Sequence, residues 1–207
     1  LMLREDGIAM DDGTTGRLSE HHFGMTTTTA NAVEVFRHLE FCRQCLWPGL
    51  DVHLISVTEQ WAQFAVAGPN SRALLRKIVD AGFDISNDAF PFMACGEVKI
   101  LSGIPGRLFR ISFSGELAYE IHVPNESLYA AYLSLRKAGE AHGMKIFGLR
   151  AVGSMRMEKG FLSWKSDLLT EFDPFETEIV AKFQFKIIEF WKTLLFHSFE
   201  KVKFFIV

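Results

Sequence analysis

The chain has little cysteine: Cys42, Cys45 and Cys95 are its three, an odd number in 207 residues. An odd, sparse set excludes a full disulfide framework and points to a reducing, cytoplasmic setting. It has no excess of basic charge either, with a formal net charge of −3. No stripe of Lys and Arg stands ready to neutralise phosphates, so nucleic acid is not an expected partner. Uninterrupted apolar runs of about 18 residues are missing, as is a charged leader followed by an apolar stretch, so neither a membrane span nor a signal peptide is read. The motifs G-x-G-x-x-G, the P-loop and G-x-S-x-G are absent too. Their absence removes dinucleotide, phosphate-loop and serine-nucleophile sites, leaving a small-molecule substrate and placing any redox cofactor outside this chain.

What is present is an ordinary globular composition, 48% hydrophobic with 20 Phe. Alternating or apolar stretches mark strands over 7–12, 22–29, 52–58, 61–68, 96–101, 107–114 and 118–123. Helical spacing predicts a helix opened by Asn31, with Glu34 as its capping-box partner and Val35, Leu39, Cys42 and Leu46 as its apolar stripe, ending before Pro48. Further helices are expected over 68–82, 125–143 and 149–160, and a loop over 167–176. Strands and helices mixed without strict βαβ alternation predict an α+β fold. From about residue 180 the composition shifts to Phe and Lys without Gly or Pro, and Phe183, Ile187, Trp191 and Leu194 share one helical stripe. A helix is therefore expected across 180–207.

Three side-chain groups could carry chemistry. His38, Cys42 and Cys45 lie at i, i+4 and i+7, along one helix face, but that face is also the apolar stripe, so core cysteines are preferred to a metal site and no metal is assigned. His21 and His22 are neighbours on a strand and point opposite ways. Asp11 and Asp12 likewise point apart, and an Asx-turn before Gly13 would occupy Asp12, so Asp11 is the member that would face a pocket; taken alone, the pair reads first as a turn cap. In "SFSGELAYEIHVP", Tyr119, Ile121 and Val123 share one face of a strand, and Ala118, Glu120 and His122 the other. By itself that pattern lets Glu120 and His122 face water.

"EDGIAMDDGTTGRLSEHHF", "WAQFAVAGPNSRALL", "FSGELAYEIHVP", "MRMEKGF" and "DLLTEFDPFE" occur in this order. Together they resemble the folate-binding, aminomethyltransferase-like domain of the glycine cleavage T-protein family. The likeness is greatest to its versions in sarcosine oxidase alpha subunits and in dimethylglycine and sarcosine dehydrogenases. The resemblance covers residues 1–179 and implies a T-protein-like α+β domain, truncated at both ends, with the Phe/Lys tail of 180–207 in place of the family's next strand. It implies tetrahydrofolate-dependent one-carbon transfer, forming 5,10-methylenetetrahydrofolate. FAD would sit on a flavin-containing amine dehydrogenase domain or subunit outside this chain. By the resemblance, Asp11 lies beside the reacting folate nitrogen, Glu120 grips the pterin, and the ring of Phe113 packs against the ligand where relatives carry Tyr. The position four before Arg156, an Arg in many relatives, is Val152, and Arg156 with Glu158 reads as a structural helix pair. A non-catalytic folate-binding module and an inactive fragment are the alternatives.

Overall fold

The computed structural model describes residues 1–4, 6–172, 176 and, as backbone, 202–206. The chain divides into two compact units, Leu1–Thr58 with Leu162–Val207, and Glu59–Phe161. In the first, β1 (Met2–Leu3) and β2 (Ala9–Asp11) pair antiparallel. The hairpin of β3 (Thr15–Ser19) and β4 (His22–Met25) follows, irregular in register between Arg17 and Ser19. The sequence predicts a strand to residue 29, but β4 stops at Met25 because Thr26 folds back onto Thr14 through backbone and hydroxyl hydrogen bonds.

A 3-10 turn, Thr29–Asn31, opens α1 (Ala32–Phe41). Asn31 is the N-cap residue but makes no side-chain cap, and Glu34 pairs with Arg37 at 2.8 Å, so the predicted capping box does not form. The reason is that the Asn31 amide is engaged elsewhere, by Met10 and Asp11. The helix runs into a π-helical turn, Cys42–Leu46, in which Trp47 N–H donates to the Cys42 carbonyl at 2.8 Å. An i→i+5 turn is wider than an α-turn and rotates the apolar stripe. Val35 and Cys42 are therefore buried while Leu46 and Cys45 face solvent, a correction to the predicted stripe and to the reading of both cysteines as core. β5 (Val52–Ser56) follows.

The second unit is built on β6 (Trp61–Ala67), a short α2 (Ser71–Leu75), β7 (Cys95–Ile100), β8 (Ile104–Phe109), β9 (Ala118–Pro124), α3 (Leu128–Glu140) and α4 (Leu149–Lys159). Its sheet has the order β6-β9-β8-β7 and is antiparallel throughout. The helix expected over 68–82 is cut to α2 because Ile78 and Val79 are buried in the core and Val79 bridges to Ile100, a use that suits apolar β-branched side chains. β8 starts earlier than the sequence suggests. The chain reverses at Leu101 and Ser102, both at positive φ, and Pro105 pairs only on the β7 side, since the β8–β9 ladder spans Arg107–Phe109; its missing N–H costs no bond to β9.

Register sorts the sheet into two faces. Ala62, Phe64 and Val66 lie opposite Val123, Ile121 and Tyr119, and Leu108 lies opposite Ile121. These pack with Leu74, Leu75, Val98, Ile100, Ala131 and Leu135 into a continuous apolar core. Tyr119 is fully buried there, and its hydroxyl accepts from Arg72 Nε at 2.8 Å, satisfying the one polar atom of the ring.

The C-terminal segment overturns part of an expectation. Val202–Ile206 is not helical but a strand, β10, parallel to β4 and β5 and lying between them in the order β3-β4-β10-β5. Val-Lys-Phe-Phe-Ile is rich in β-branched and aromatic residues, and the two flanking strands offer it a ladder on each side. The rest of 177–207, including the expected boundary at 179, lies outside the described residues. Among the described residues no helix is long and apolar enough to cross a membrane.

Candidate functional site

The Asp11–Asp12 pair shows how the first unit uses carboxylates. Asp11 is fully buried, and its oxygens accept from four donors: the Asp12 N–H at 2.8 Å, the Thr28 N–H at 3.2 Å, the Thr28 hydroxyl at 2.9 Å and the Asn31 amide at 3.1 Å. A carboxylate offers about four acceptor sites, so this one is saturated by the protein itself. Asp11 ties the end of β2 to the entry of α1, and the pocket-facing position assigned to it from the sequence does not match its surroundings. The carboxylate left available is Asp12. It is only partly buried, and its Oδ2 accepts the Trp164 N–H at 3.1 Å. Burial pushes the Asp12 carboxyl up from its ordinary value, the Trp164 N–H partly offsets this, and the neighbouring Asp11 charge adds to the rise.

The residue after the pair explains why the sequence misled. A Cβ at Gly13 would lie 1.7 Å from the Thr26 carbonyl oxygen, so glycine is there for close approach to the chain beyond β4, not for an Asx-turn. Trp164, which sequence reasoning passed over, also donates from its indole to the Ala9 carbonyl at 3.2 Å. An isolated Trp in the polar stretch "LSWKSD" was the available signal.

In the second unit, the face of β9 opposite the core carries Ala118, Glu120 and His122, as the alternation predicts. Glu120 lies opposite Ala65 and Phe109, and its side chain is 18% exposed. It accepts no hydrogen bond from the described residues, and the Nε2 of His122 lies 3.7 Å from its Oε2. Phe113 is exposed in the loop between β8 and β9. That loop is shaped by Gly115, at φ 83°, whose N–H donates to the Ser112 hydroxyl at 3.0 Å.

Two open clefts lie within this unit. The larger, about 680 Å³, is lined by Trp61, Glu97, Lys99 and Arg107 among others and includes none of the residues singled out from the sequence. The smaller, about 430 Å³, is lined by Arg110, Ser112, Gly115, Ala118, Lys159 and Phe161, and so begins two residues from Glu120 on the same strand face. Arg156 is buried and donates to the Phe161 carbonyl at 3.0 Å, whereas Glu158 is exposed. Two residues apart on α4 they do not face one another, so the expected helix pair is replaced by a contact that closes the helix end. His38 Nε2 and Cys42 Sγ approach to 3.6 Å along α1, with Cys45 turned to solvent.

Residues 1–186 match the family described as the GCVT N-terminal domain. Over 167 residues the chain is 56% identical to the sarcosine oxidase subunit alpha of Rhizobium meliloti (strain 1021), covering 79% of this chain and 16% of that one. It is 38% identical over 123 residues to the mitochondrial sarcosine dehydrogenase of Homo sapiens, covering 59% and 13%. It is also 30% identical over 175 residues to the mitochondrial dimethylglycine dehydrogenase of Homo sapiens, covering 84% and 20%. The chain thus spans about a fifth or less of the length of these curated relatives. With the α+β fold that carries the five sequence motifs in order, the chain belongs to the GCVT N-terminal domain family.

Proposed function

We propose that this chain is a tetrahydrofolate-dependent one-carbon transfer domain, acting on the carbon released when sarcosine or dimethylglycine is demethylated and forming 5,10-methylenetetrahydrofolate. The observation that carries the reading is Glu120, a partly exposed carboxylate without a hydrogen-bond donor from the described residues, on a strand otherwise largely buried. Its chemistry fits the ligand. An ionised carboxylate is an acceptor-only fork, and a pterin edge presents an amino and a ring N–H side by side. Bound tetrahydrofolate supplies nitrogens nucleophilic enough to take up a carbon unit at the oxidation level of formaldehyde.

The chain's own residues bind, orient and accept protons. Glu120 fixes the edge of the ligand, and the exposed ring of Phe113 offers a packing surface. Within the unit that holds both aspartates, taken by itself, the base role that the resemblance gives to Asp11 passes to Asp12. Its carboxyl is held above the ordinary carboxylate range, which brings it closer to what a proton acceptor near neutral pH requires. Asp11 keeps the corner rigid beneath it. The amine oxidation belongs to an oxidase or dehydrogenase domain or subunit outside this chain, in keeping with the names of the relatives, and its flavin follows from the family resemblance.

Calorimetric titration of the 207-residue chain with 5-formyltetrahydrofolate tests the reading. Saturable binding is expected, weakened by about 1–3 kcal/mol in Glu120→Ala, or roughly 5- to 150-fold. Asp12→Asn is expected to leave that affinity within about threefold while lowering transfer by about 10² to 10⁴ in protein supplied with its flavin partner. Equal loss of binding and transfer in both variants sinks the division of roles, and no binding by a cooperatively folded chain sinks the folate reading.

A further inference from the structure

His122 is the fully buried imidazole of the second unit. Its side chain is 1% exposed, and neither Nδ1 nor Nε2 has a hydrogen-bond partner among the described residues. Buried polar atoms are nearly always paired, so an imidazole with two orphaned nitrogens calls for a reason. Its surroundings on the sheet are Gln63 across on β6, Arg107 across on β8, and the Phe109 ring, 4.8 Å away between centroids and tilted by 31°. Arg107 is itself turned over the Trp61 ring, at 4.0 Å. The near carboxylate is Glu120, two residues along the same strand face, at 3.7 Å from Nε2: too long for a hydrogen bond and short enough to become one by a small side-chain rotation.

We infer that His122 is a positioning residue for the Glu120 carboxylate: as the Nε2–H tautomer, its plane fixed by Phe109, it donates to Oε2 and holds the carboxylate plane for a ligand with two adjacent N–H donors. The inference rests on the reading of Glu120 as the folate-gripping residue. Each carboxylate oxygen has two acceptor directions, so a donor on the outer side of Oε2 leaves both oxygens free toward the ligand. A carboxylate held this way loses less rotational freedom when the ligand arrives, and the affinity rises for that reason.

The test is a double-mutant cycle read by calorimetry with 5-formyltetrahydrofolate on the 207-residue chain. His122→Met and His122→Gln have similar length and volume and differ in the donor. His122→Met is expected to bind about tenfold more weakly than the native chain, and His122→Gln to recover to within about threefold. In a Glu120→Ala background, His122→Met is expected to cause no further loss. Unchanged affinity in His122→Met, or the same loss with and without Glu120, overturns the inference while leaving the role of Glu120 standing. Native affinity in Glu120→Ala overturns the underlying reading, so the two failures differ in which variant binds normally. Where His122→Met does not melt cooperatively, Phe109→Leu, which frees the ring but keeps an apolar side chain, carries the same cycle. It is expected to bind about threefold more weakly with Glu120 present and to add nothing without it.

Discussion

In the unit spanning Glu59–Phe161, Leu74, Leu75, Ile100, Leu108, Tyr119, Ile121 and Val123 close on one another from a sheet and α2, all nearly or wholly inaccessible. In the other unit, an apolar cluster among the described residues centres on Met25 and Val35, with Met2, Phe36 and Leu39 beside it. That unit also buries Asp11 completely, on four donors. One region is held by apolar area, which is non-directional and tolerant of detail. The other depends visibly on a polar junction, which specifies one geometry and fails abruptly when a partner is removed. Each candidate carboxylate sits on the support its unit provides: Glu120 on a strand anchored by apolar packing, Asp12 beside a saturated carboxylate.

The largest effect expected from breaking this contrast is on the apolar side. Ile121→Ala removes a fully buried side chain that faces Phe64 and Leu108 across the sheet. It should cost about 4 kcal/mol in urea unfolding, through lost transfer energy and the cavity left behind. Residue-resolved hydrogen exchange should show protection lost from β6 to β9. Equal loss in β3 and β4 would mean that the two units do not open separately.

Next in size is the polar side. Asp11→Ala strands the Thr28 N–H and the Thr28 hydroxyl at a buried junction and leaves the Asn31 amide with the Met10 carbonyl as its acceptor. A cost of about 3 kcal/mol is expected, with exchange protection lost first around the start of α1. Asp11→Asn should recover little of it, because an amide nitrogen would then meet donors. A stability change below about 0.5 kcal/mol in either variant would show that the junction does not hold the unit together.

What the sequence disclosed follows the same division. The face assignment of β9 was legible because alternation is local: Tyr119, Ile121 and Val123 must share a side, and a long apolar core confirms which side. The α+β class was legible for a similar reason. The choice between Asp11 and Asp12 was not, since the donors that saturate Asp11 come from Thr28 and Asn31, far along the chain, and the donor to Asp12 comes from Trp164. Local turn chemistry suggested that Asp12 was occupied by the turn at Gly13, when the glycine answers to the Thr26 carbonyl. The π-turn after α1 was hidden too, because no residue type in Cys42–Leu46 signals it.

The smallest effect is the one that separates the two aspartates by charge. Burial raises the Asp12 carboxyl above its ordinary value, so its neutral form is favoured in the folded state. The resulting stabilisation is fully present below the usual carboxylate range and is lost as pH rises through the folded-state value. Above that point the ionised, partly buried Asp12 is a mild liability. Asp12→Asn keeps an oxygen for the Trp164 N–H and removes the charge, so it should be more stable than the native chain at neutral pH, by less than about 1 kcal/mol because the group is partly solvated. The difference should vanish in acid, where both side chains are neutral. Urea titrations of the two proteins across that range decide the matter: a gain at neutral pH that fades on acidification marks Asp12 as a carboxylate held against its preferred charge state. A pH-independent difference, or a loss at neutral pH, would place Asp12 with Asp11 as a structural acceptor and take from it the proton-accepting role.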